Sequence, residues 1–515
     1  MLISNLTKGL KEKDLFPFPF LFFFYYSYKK KVGNLIMKTI RAYSTRIEIE
    51  PYEENENIKL ERLCSTKYDR VTHSRETFGF RIEDNKFIGP RGLSLAMLSQ
   101  LYDTIPTMEK ADPFYRMNKS YRMIVKPKND DQKKAISFLL GLNGFERTRK
   151  YSQLALNLPP GFGKTYCTVY ALLALGARTL IVLHRDTIKN QWTDTLENMS
   201  DMDMKRVYVI TGTKSMENLL LKKNKDKCDI YLVMHQTISA FLRQHTPDDL
   251  RNWFTKMAFG VKVVDEAHLC FKQTVEMDLY SNIPKNIYLT ATFTRSDYKE
   301  KDLYDLVFGN TIRFGQELDT PKNVVYTMVY YNSNPSYSYQ KYIHTNYGVS
   351  STRWADYAFK ADEKMTVYNV FFEVLEKAKE HTGKILVVIP KINYCEIIAE
   401  MIKEMYPDDI VATIHSKHTK SQNENAKKYA TIIVTTTSSM GTGSDIDHIR
   451  SLIIMEPYSS EVTAKQLTGR LRPYPNGEDS YAYELIDTGF ESILAMVNKR
   501  YRKLQSICKS IKTWK

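Results

Sequence analysis

The stretch LPPGFGKT at residues 158–165 decides the fold, because it joins an apolar run directly to an amphipathic one. The run SQLALNL (152–158) is typical of a buried strand, and the residues from Lys164 to Leu175 carry a helical pattern that ends at Gly176. In such a strand-to-helix turn, glycines let backbone N–H groups wrap a phosphate, and the helix N-terminus adds positive potential. The stretch therefore predicts a phosphate-binding loop.

The side chains of this loop define a predicted nucleotide site. Lys164 is placed to reach the β and γ phosphates, and the hydroxyl of Thr165 is placed to bind Mg²⁺. The spacing G-x-x-x-x-G-K-[ST] is incomplete, because Leu158 occupies the position of its first glycine. The predicted nucleotide-binding residues of the loop are Gly161, Phe162, Gly163, Lys164 and Thr165.

Two adjacent carboxylates follow a later buried run, which begins at Val261. A carboxylate at the end of such a strand, beside a phosphate loop, can bind Mg²⁺, and its neighbour can orient or deprotonate an attacking water. Asp265 is therefore the predicted metal residue and Glu266 the predicted water-activating residue. The alternative is a solvated acidic turn after the strand.

Short, β-branched apolar runs alternate with amphipathic helical runs on both sides of a gap at about residues 295–364. The runs lie at 152–158, 178–184, 206–211, 229–235, 261–268 and 286–292 before the gap, and at 384–390, 409–415, 430–436 and 451–457 after it. Nearly continuous apolar strands that alternate with helices indicate parallel sheets covered on both faces. We predict an α/β fold with two tandem parallel-sheet domains and a small mixed N-terminal domain.

These patterns divide the chain into six predicted segments. They are an N-terminal extension (1–36), an accessory domain (37–120), a first, nucleotide-binding domain (121–315), a linker or insertion (316–365), a second domain (366–490) and a basic C-terminal helix (491–515). The extension holds the apolar run 15–28, which is shorter than the roughly 20 residues that span a bilayer. We expect no stable membrane insertion, and an extension without a fold ahead of a working start at Met37; a membrane-surface or targeting segment is the alternative.

Composition and charge exclude several classes of protein. With 515 residues, 43% of them hydrophobic and 26% charged, the chain is not collagen-like, low-complexity or fully disordered. Its formal charge of +15 includes +4 from residues 1–36 and +7 from residues 499–515, which leaves +4 for the remainder. A polyanionic partner is compatible with this charge. Six widely spaced cysteines indicate a reducing compartment and argue against a disulfide framework or a structural zinc site.

Four motifs taken together resemble those of the superfamily 2 helicases. They are the loop at 158–165, DEAH at 265–268, TAT at 290–292 and QLTGRLR at 466–472, and the resemblance covers about residues 125–490. It implies two RecA-like domains, ATP and Mg²⁺ as cofactors, and a nucleic acid as partner. The segment with Leu183, Gln191 and Trp192 resembles a motif of one branch of this family, the phage, large-virus and repair-type DNA helicases. This resemblance favours DNA with a single-stranded or branched region over RNA as the partner.

The resemblance also implies roles for residues of the second domain. The segment 434–445 resembles the motif whose Gly443 and Asp445 meet nucleotide and nucleic acid at the domain interface. In 466–472, Gln466 and two arginines contribute from across the cleft, and a planar guanidinium suits the charge on a transferring phosphoryl group. Arg470 is the stronger candidate for the arginine that contacts the transferring phosphoryl group. The family's usual second arginine position is occupied by Pro473, and Arg472 lies one residue before it.

The loop departs from the family pattern A-P-T-G-S-G-K-T, because Pro160 and Phe162 stand at the positions of a Thr and a Ser. These two substitutions are expected to affect the rate of hydrolysis more than nucleotide binding. Gln132 matches only the glutamine of the family's adenine-recognition element, and the alternative is a surface glutamine at a helix start. His268 either couples the DEAH segment to Gln466 and Thr290 or is a buried, hydrogen-bonded imidazole. For Trp192, core packing is favoured, and a platform for base stacking is the alternative.

Three functions remain open from the sequence. The favoured one is an ATP-dependent helicase or translocase that couples hydrolysis to strand separation or branch remodelling. The alternatives are a nucleic-acid-stimulated ATPase that remodels complexes or drives a nuclease partner, and a nucleic-acid-binding clamp that does not hydrolyse ATP. The basic C-terminal helix is expected either to show its cations to phosphates or to be a solvated terminal helix. We expect a cytoplasmic or nucleic-acid-associated location in a reducing compartment, which is that of the host cell if the protein is viral.

Overall fold

The computed structural model of the chain describes residues 38–53, 56–69, 73–159, 161–184, 186–221, 228–290, 299–315, 322–345, 348–360, 366–440, 446, 448–471 and 477–514. The predicted N-terminal extension (1–36) lies outside these residues. None of the helices in the described part of the chain combines the length and hydropathy that crossing a bilayer requires.

A small mixed sheet precedes the two larger ones. Its strands are β1 (Thr39–Ala42), β2 (Arg46–Glu50), β3 (Arg81–Glu83), β4 (Lys86–Pro90) and β5 (Thr107–Met108), in the spatial order β3-β4-β2-β1-β5. Only the β1–β5 pair is parallel. Helices α1 (Ile58–Leu63) and α2 (Leu95–Tyr102) follow β2 and β4 in the chain. Its core includes Ile40, Ile49 and Phe87, all fully buried.

The first large sheet is entirely parallel. Its strands are β6 (Gln153–Asn157), β7 (Thr179–Leu183), β8 (Val207–Ile210), β9 (Ile230–Met234), β10 (Val261–Val264), β11 (Lys285–Thr290) and β12 (Ile312–Phe314), in the order β12-β6-β11-β10-β7-β9-β8. Its helices are α3 (Asp130–Leu140), α4 (Lys164–Leu175), α5 (Asp186–Met199), α6 (Thr213–Leu219), α7 (His235–Gln244), α8 (Pro247–Met257), α9 (Phe271–Asp278) and α10 (Lys301–Val307).

Both faces of this sheet are buried, which explains why its strands are nearly continuous apolar runs. In β11, Ile287 and Leu289 belong to one core cluster, whereas Tyr288 between them belongs to the cluster on the opposite face. The second cluster also contains Phe78 and Ile88 from the small mixed sheet region. The small sheet and the first large sheet therefore share a core.

The second large sheet is also entirely parallel. Its strands are β13 (Val324–Tyr331), β16 (Lys384–Ile389), β17 (Val411–Ile414), β18 (Ile432–Thr436), β19 (Ile449–Ile454), β20 (Ser480–Asp487) and β21 (Ser510–Trp514), in the order β17-β18-β16-β19-β20-β13-β21; β14 (His344–Thr345) and β15 (Gly348–Val349) form a separate hairpin. Its helices are α11 (Tyr337–Tyr342), α12 (Ser351–Ala358), α13 (Thr366–Lys379), α14 (Ile392–Met405), α15 (Lys420–Tyr429), α16 (Thr437–Met440), α17 (Glu461–Thr468) and α18 (Glu491–Ile507). The predicted fold class, two RecA-like parallel-sheet domains after a small mixed one, is confirmed.

Two segments differ from the sequence-based expectation. The predicted linker or insertion at 316–365 supplies β13, which lies between β20 and β21 in the second sheet. The predicted C-terminal helix ends at Ile507, and Ser510–Trp514 adds a strand beside β13. Neither strand is a continuous apolar run, since four of the eight residues of β13 are tyrosine or threonine and three of the five residues of β21 are polar.

The basic helix α18 packs one of its cations inward. Arg500, which the sequence places among the outward-facing cations, is 1% exposed. Its guanidinium pairs with Glu484 and donates to the carbonyl oxygen of Tyr458. Glu484 also accepts a hydrogen bond from the hydroxyl of Tyr326 at 2.7 Å. Arg500 is therefore structural, because a buried cation needs such partners.

Candidate nucleotide-binding site

The residues predicted to bind and hydrolyse a nucleotide follow three neighbouring strands. The phosphate loop follows β6, Thr290 ends β11, and Asp265 follows β10. These strands lie side by side in the order β6-β11-β10 and run parallel, so that their carboxyl ends meet at one edge. Ligands of open α/β sheets bind at this edge.

The loop depends on glycine at its last turn. Gly161 and Gly163 have φ angles of 76° and 96°, in the region that favours glycine. A Cβ atom at Gly163 would stand 2.7 Å from Nε2 of Gln132. This close approach exists because Gln132 Nε2 donates to the carbonyl oxygen of Phe162 at 2.8 Å, while its Oε1 accepts from the backbone N–H of Lys128 at 2.8 Å.

Gln132 is 5% exposed, so the alternative of a surface glutamine is wrong. Its amide braces the phosphate loop from the first turn of α3. Adenine recognition by Gln132 stays a prediction. Pro160 lies outside the described residues.

Lys164 joins the loop to the acidic segment. Its Nζ lies 3.3 Å from Oε1 of Glu266 and 3.4 Å from the carbonyl oxygen of Leu158. Thr165, the next residue of α4, is buried. The Lys164 ammonium is thus held at the mouth of the loop by a carboxylate that a nucleotide phosphate would compete with.

Asp265 is buried and the adjacent Glu266 is partly exposed, and the pKa values of the two carboxyl groups shift in opposite directions. Burial, followed by repulsion from Glu266, raises the pKa of Asp265. Burial opposes ionisation of Glu266 as well, but the charges of Lys164 and His268 lower the pKa of that carboxyl. Glu266 also has a φ of 47°, a left-handed conformation that costs a non-glycine residue about 1–2 kcal/mol. Such strain is typical of functional sites.

Trp192 holds the Asp265 carboxylate in place. The indole is fully buried, and its Nε1 donates to Oδ2 of Asp265 at 2.8 Å. Oδ1 accepts from the backbone N–H of Glu266 at 3.0 Å. Trp192 is therefore part of the core, as the sequence favours, and also a positioning residue, a role that sequence reasoning missed. Only its place nine residues after Leu183, in a motif segment, could have suggested it.

We expect Trp192→Phe to move the acid limb of the pH profile of ATP hydrolysis to higher pH. The indole hydrogen bond lowers the pKa of Asp265, so its loss makes that carboxyl protonate at higher pH. The free energy of unfolding should fall by roughly 1.5–3 kcal/mol, the range for a hydrogen bond to a charged group. Rates across pH and chemical denaturation measure the two effects.

Trp253→Phe is the matched control for this variant. Trp253 is equally buried, but its indole donates to the carbonyl oxygen of Met216 at 3.0 Å, outside the site. It should lose stability without moving the acid limb. Equal shifts of the acid limb in both variants would contradict the role given to Trp192.

His268 connects the acidic segment to the end of β11. Its Nδ1 lies 2.9 Å from Oγ1 of Thr290 and 3.3 Å from Oε2 of Glu266. The imidazole is 4% exposed, so it is both buried and in contact with Thr290, which combines the two alternatives drawn from the sequence. Its coupling to Gln466 stays a prediction. The other residues of the 290–292 motif, Ala291 and Thr292, lie outside the described residues.

The second domain brings α17 towards the loop. Burial, with repulsion from Lys503 and Lys164, lowers the pKa of Lys465 to about 8. Lys465 is therefore close enough to the loop lysine to feel its charge. Gln466 lies on the same helix, and Arg470 lies just beyond its end, where its backbone N–H donates to the carbonyl oxygen of Leu467 at 3.1 Å.

Three predicted site residues of the second domain, Gly443, Asp445 and Arg472, lie outside the described residues. Their roles stay predictions, as do those of Gln466 and Arg470. Lys465 was not singled out from the sequence, because a lysine beside a motif carries no signal until the fold places it near the loop.

The segment at the end of β9 is partly inaccessible. His235 is 2% exposed, and burial, with repulsion from His184 and Lys262, lowers the pKa of its imidazole to about 3. His235 is thus neutral and internal. Its neighbours Gln236, which is exposed, and Thr237, which is half-buried, are accessible to a ligand.

Comparison with known families and proteins yields matches over both large domains. The family "Type III restriction enzyme, res subunit" matches residues 126–295, and the family "Helicase conserved C-terminal domain" matches residues 366–472. Together these ranges span more than half of the chain. The phosphate loop and the acidic segment fall in the first range, and α17 falls in the second.

Individual proteins match at low identity. "Transcript termination protein A18" of Yaba monkey tumor virus is 22% identical over 67% of this chain and 70% of its own length. "Putative DNA 3'-5' helicase Rad25" of Halobacterium salinarum is 27% identical over 29% of this chain and 22% of its own length. Among solved structures, "The crystal structure of T4 UvsW" is 16% identical over 92% of this chain and 99% of that chain, with a TM-score of 0.35.

Proposed function

Because this chain belongs to the superfamily 2 helicases, we propose that it is a DNA helicase or translocase that couples ATP hydrolysis to strand separation or branch remodelling. Membership makes it an ATP-hydrolysing enzyme that binds nucleic acid. The observation that carries the proposal is the contact between Lys164 and Glu266 at 3.3 Å, because it joins a phosphate-binding lysine to a carboxylate that can act on water.

The residues at the sheet edge fit a magnesium ion. Thr165 and Asp265 offer a hydroxyl and a carboxylate oxygen, which are the ligands that Mg²⁺ prefers. The buried Asp265 carboxylate lies beside the partly exposed Glu266 carboxylate, and repulsion between them, which with burial raises the pKa of Asp265, also favours a nearby cation. When bound there, Mg²⁺ would neutralise charge on the β and γ phosphates.

In the proposed reaction, Lys164 leaves Glu266 for the phosphates, and the freed carboxylate orients or deprotonates the attacking water. Before that move, the charges of Lys164 and His268 lower the pKa of Glu266 and keep it ionised; once Lys164 has left, the carboxylate becomes a stronger base for the proton of the water. His268 holds Glu266 from the other side through its contact with Thr290. Arg470 is proposed to meet the γ-phosphate when the second domain closes, supported by the nearness of Lys465 on α17 to the loop.

Two observations favour DNA with a single-stranded or branched region over RNA. The Halobacterium salinarum relative carries the name of a DNA helicase, and the segment from Leu183 to Trp192 resembles that of DNA helicases. The viral relative supports a setting in a host cell. All six cysteines are free thiols, in keeping with the reducing compartment that we propose.

The alternative functions differ in what they need from this site. A clamp without turnover is disfavoured, since both Lys164 and Glu266 are present and in contact. A nucleic-acid-stimulated ATPase that remodels complexes needs the same groups, so the site favours neither it nor a strand-separating enzyme.

The test measures ATP hydrolysis by the full chain alone and with single-stranded DNA, duplex DNA, forked DNA and RNA of matched length. We expect the strongest stimulation by single-stranded or forked DNA, together with separation of a labelled fork that the Glu266→Gln variant cannot perform. Stimulation without strand separation would favour the remodelling ATPase. Binding without hydrolysis on any of the four would favour the clamp, and stimulation by RNA alone would overturn the choice of DNA.

A further inference from the structure

A cluster of two histidines and a glutamate lies in the second domain, apart from the proposed nucleotide site. Glu396 is on α14, His415 directly follows β17, and His418 lies in the turn before α15. One ligand atom from each of the three lies within 4.8 Å of the others. The sequence argues against a structural zinc site, so a cluster of imidazole nitrogens and a carboxylate oxygen departs from that expectation.

The hydrogen bonds around His418 decide where its proton lies. Its Nδ1 is 3.2 Å from the carbonyl oxygen of Thr413, which can only accept, so Nδ1 carries the hydrogen. In the neutral ring, Nε2 then presents a lone pair to the Glu396 carboxylate, whose Oε1 is 3.6 Å away. Two acceptors face each other, and either a second proton or a cation between them is required. A backbone carbonyl on the distal nitrogen is the arrangement found behind metal-ligating histidines.

Glu396 is oriented towards both imidazoles. Its Oε1 lies 2.5 Å from Nε2 of His415 and accepts a hydrogen bond from Oγ1 of Thr413 at 2.9 Å. Burial opposes its ionisation, but the hydrogen bonds from His415 and Thr413 lower its pKa. The centroids of the two imidazole rings are 3.9 Å apart. The Nε2 atoms of both rings therefore face the same Glu396 carboxylate.

We propose that Glu396, His415 and His418 form a binding site for a divalent transition cation of the zinc class. Two imidazole nitrogens and one carboxylate oxygen are the three protein ligands of an open tetrahedral zinc site, whereas Mg²⁺ and Ca²⁺ take oxygen ligands. With bonds of about 2.0–2.2 Å, the ligand atoms around such an ion stand roughly 3.3 Å apart. The 3.6 Å gap at His418 fits this spacing, and the 2.5 Å gap at His415 opens when a metal takes the place of its Nε2 hydrogen and that hydrogen moves to Nδ1 of the same ring.

The ion would connect α14 to the turn between β17 and α15. That turn begins at the carboxyl end of β17, and β17 pairs in parallel with β18. The segment 434–445, which resembles a nucleotide- and nucleic-acid-contacting motif, begins in β18. The ion would therefore stabilise the edge of the second sheet that carries this segment. The inference stands on the cluster itself and does not rest on the proposed function.

The test is titration of the chelator-stripped full chain with Zn²⁺ by calorimetry and with Co²⁺ by visible absorption, both in excess Mg²⁺. We expect one Zn²⁺ per chain, no competition from Mg²⁺, and the d–d bands of four-coordinate Co²⁺. His418→Ala and Glu396→Gln should each weaken binding on the order of 100-fold or more. Both side chains are partly exposed, so these variants should fold, which far-ultraviolet circular dichroism checks.

His245→Ala is the matched control, because His245 Nε2 also faces a carboxylate, Glu217 Oε1 at 3.0 Å, but no third ligand joins them among the residues that the structure describes. It should bind Zn²⁺ as the unaltered chain does. Zn²⁺ should also raise the melting temperature of the unaltered chain and of His245→Ala, but not of His418→Ala. No Zn²⁺ binding by the unaltered chain, or equal affinity in His418→Ala, would overturn the proposal and leave a hydrogen-bonded imidazole pair.

Discussion

Replacing Lys164 by alanine is expected to abolish ATP hydrolysis and to weaken nucleotide binding. The ammonium lies at the mouth of the phosphate loop, where it is held by Glu266 and by the Leu158 carbonyl oxygen. Without it, the phosphates lose a charge-assisted partner, which should weaken binding roughly 10- to 100-fold. Calorimetry measures the affinity for ATP, and phosphate release measures turnover.

Two further variants define the meaning of that result. Glu266→Gln should keep ATP bound while stopping turnover, because the amide retains the shape of the side chain but accepts no proton. Lys133→Ala removes an exposed lysine of α3 that pairs with Asp130 at 2.7 Å, and it should change neither quantity. Equal ATP affinity in the unaltered chain and in Lys164→Ala would refute the loop assignment.

Arg470→Ala is expected to reduce nucleic-acid-stimulated hydrolysis by a factor on the order of 10³, the lower end of what a transition-state arginine supplies. Arg470 belongs to the second domain and would meet ATP only after closure, so nucleotide binding without nucleic acid should stay nearly intact. Stimulated turnover and basal ATP affinity, measured on the same preparation, separate the two effects.

Arg472→Ala should reduce the rate of stimulated ATP hydrolysis less than Arg470→Ala does if Arg470 is the residue that contacts the γ-phosphate. A normal rate in Arg470→Ala with a collapsed rate in Arg472→Ala would reverse the assignment. Normal rates in both variants would remove the closure mechanism.

The fold was predictable where strands are buried on both faces. Within the run 178–184, residues 180–183 are apolar at every position, because alternate side chains enter opposite cores. The strand Val324–Tyr331 escaped this pattern, since tyrosines and threonine interrupt it and its place between β20 and β21 depends on partners more than 150 residues away. Local sequence carries no record of such pairing.

The candidate site was predictable as a list of residues rather than as a set of contacts. Motif spacing identified Lys164, Asp265 and Glu266, because phosphate and metal chemistry restricts both residue type and position. It could not show that Trp192 donates to Asp265 across 73 residues, or that Gln132 braces the loop from α3. These contacts arise from tertiary packing, which places ordinary core residues beside the site.

The shared core of the small mixed sheet and the first large sheet has a consequence for how the protein comes apart. Phe78 and Ile88 lie in the same cluster as Tyr288, and the hydroxyl of Thr45 donates to the carbonyl oxygens of Asp278 and Ser281 at 2.7 and 2.8 Å. Exposing either sheet would strip apolar and hydrogen-bonding partners from the other. We therefore expect the two sheets to unfold as one cooperative unit, so that sequence segments that look like separate domains lose their protection from hydrogen exchange together.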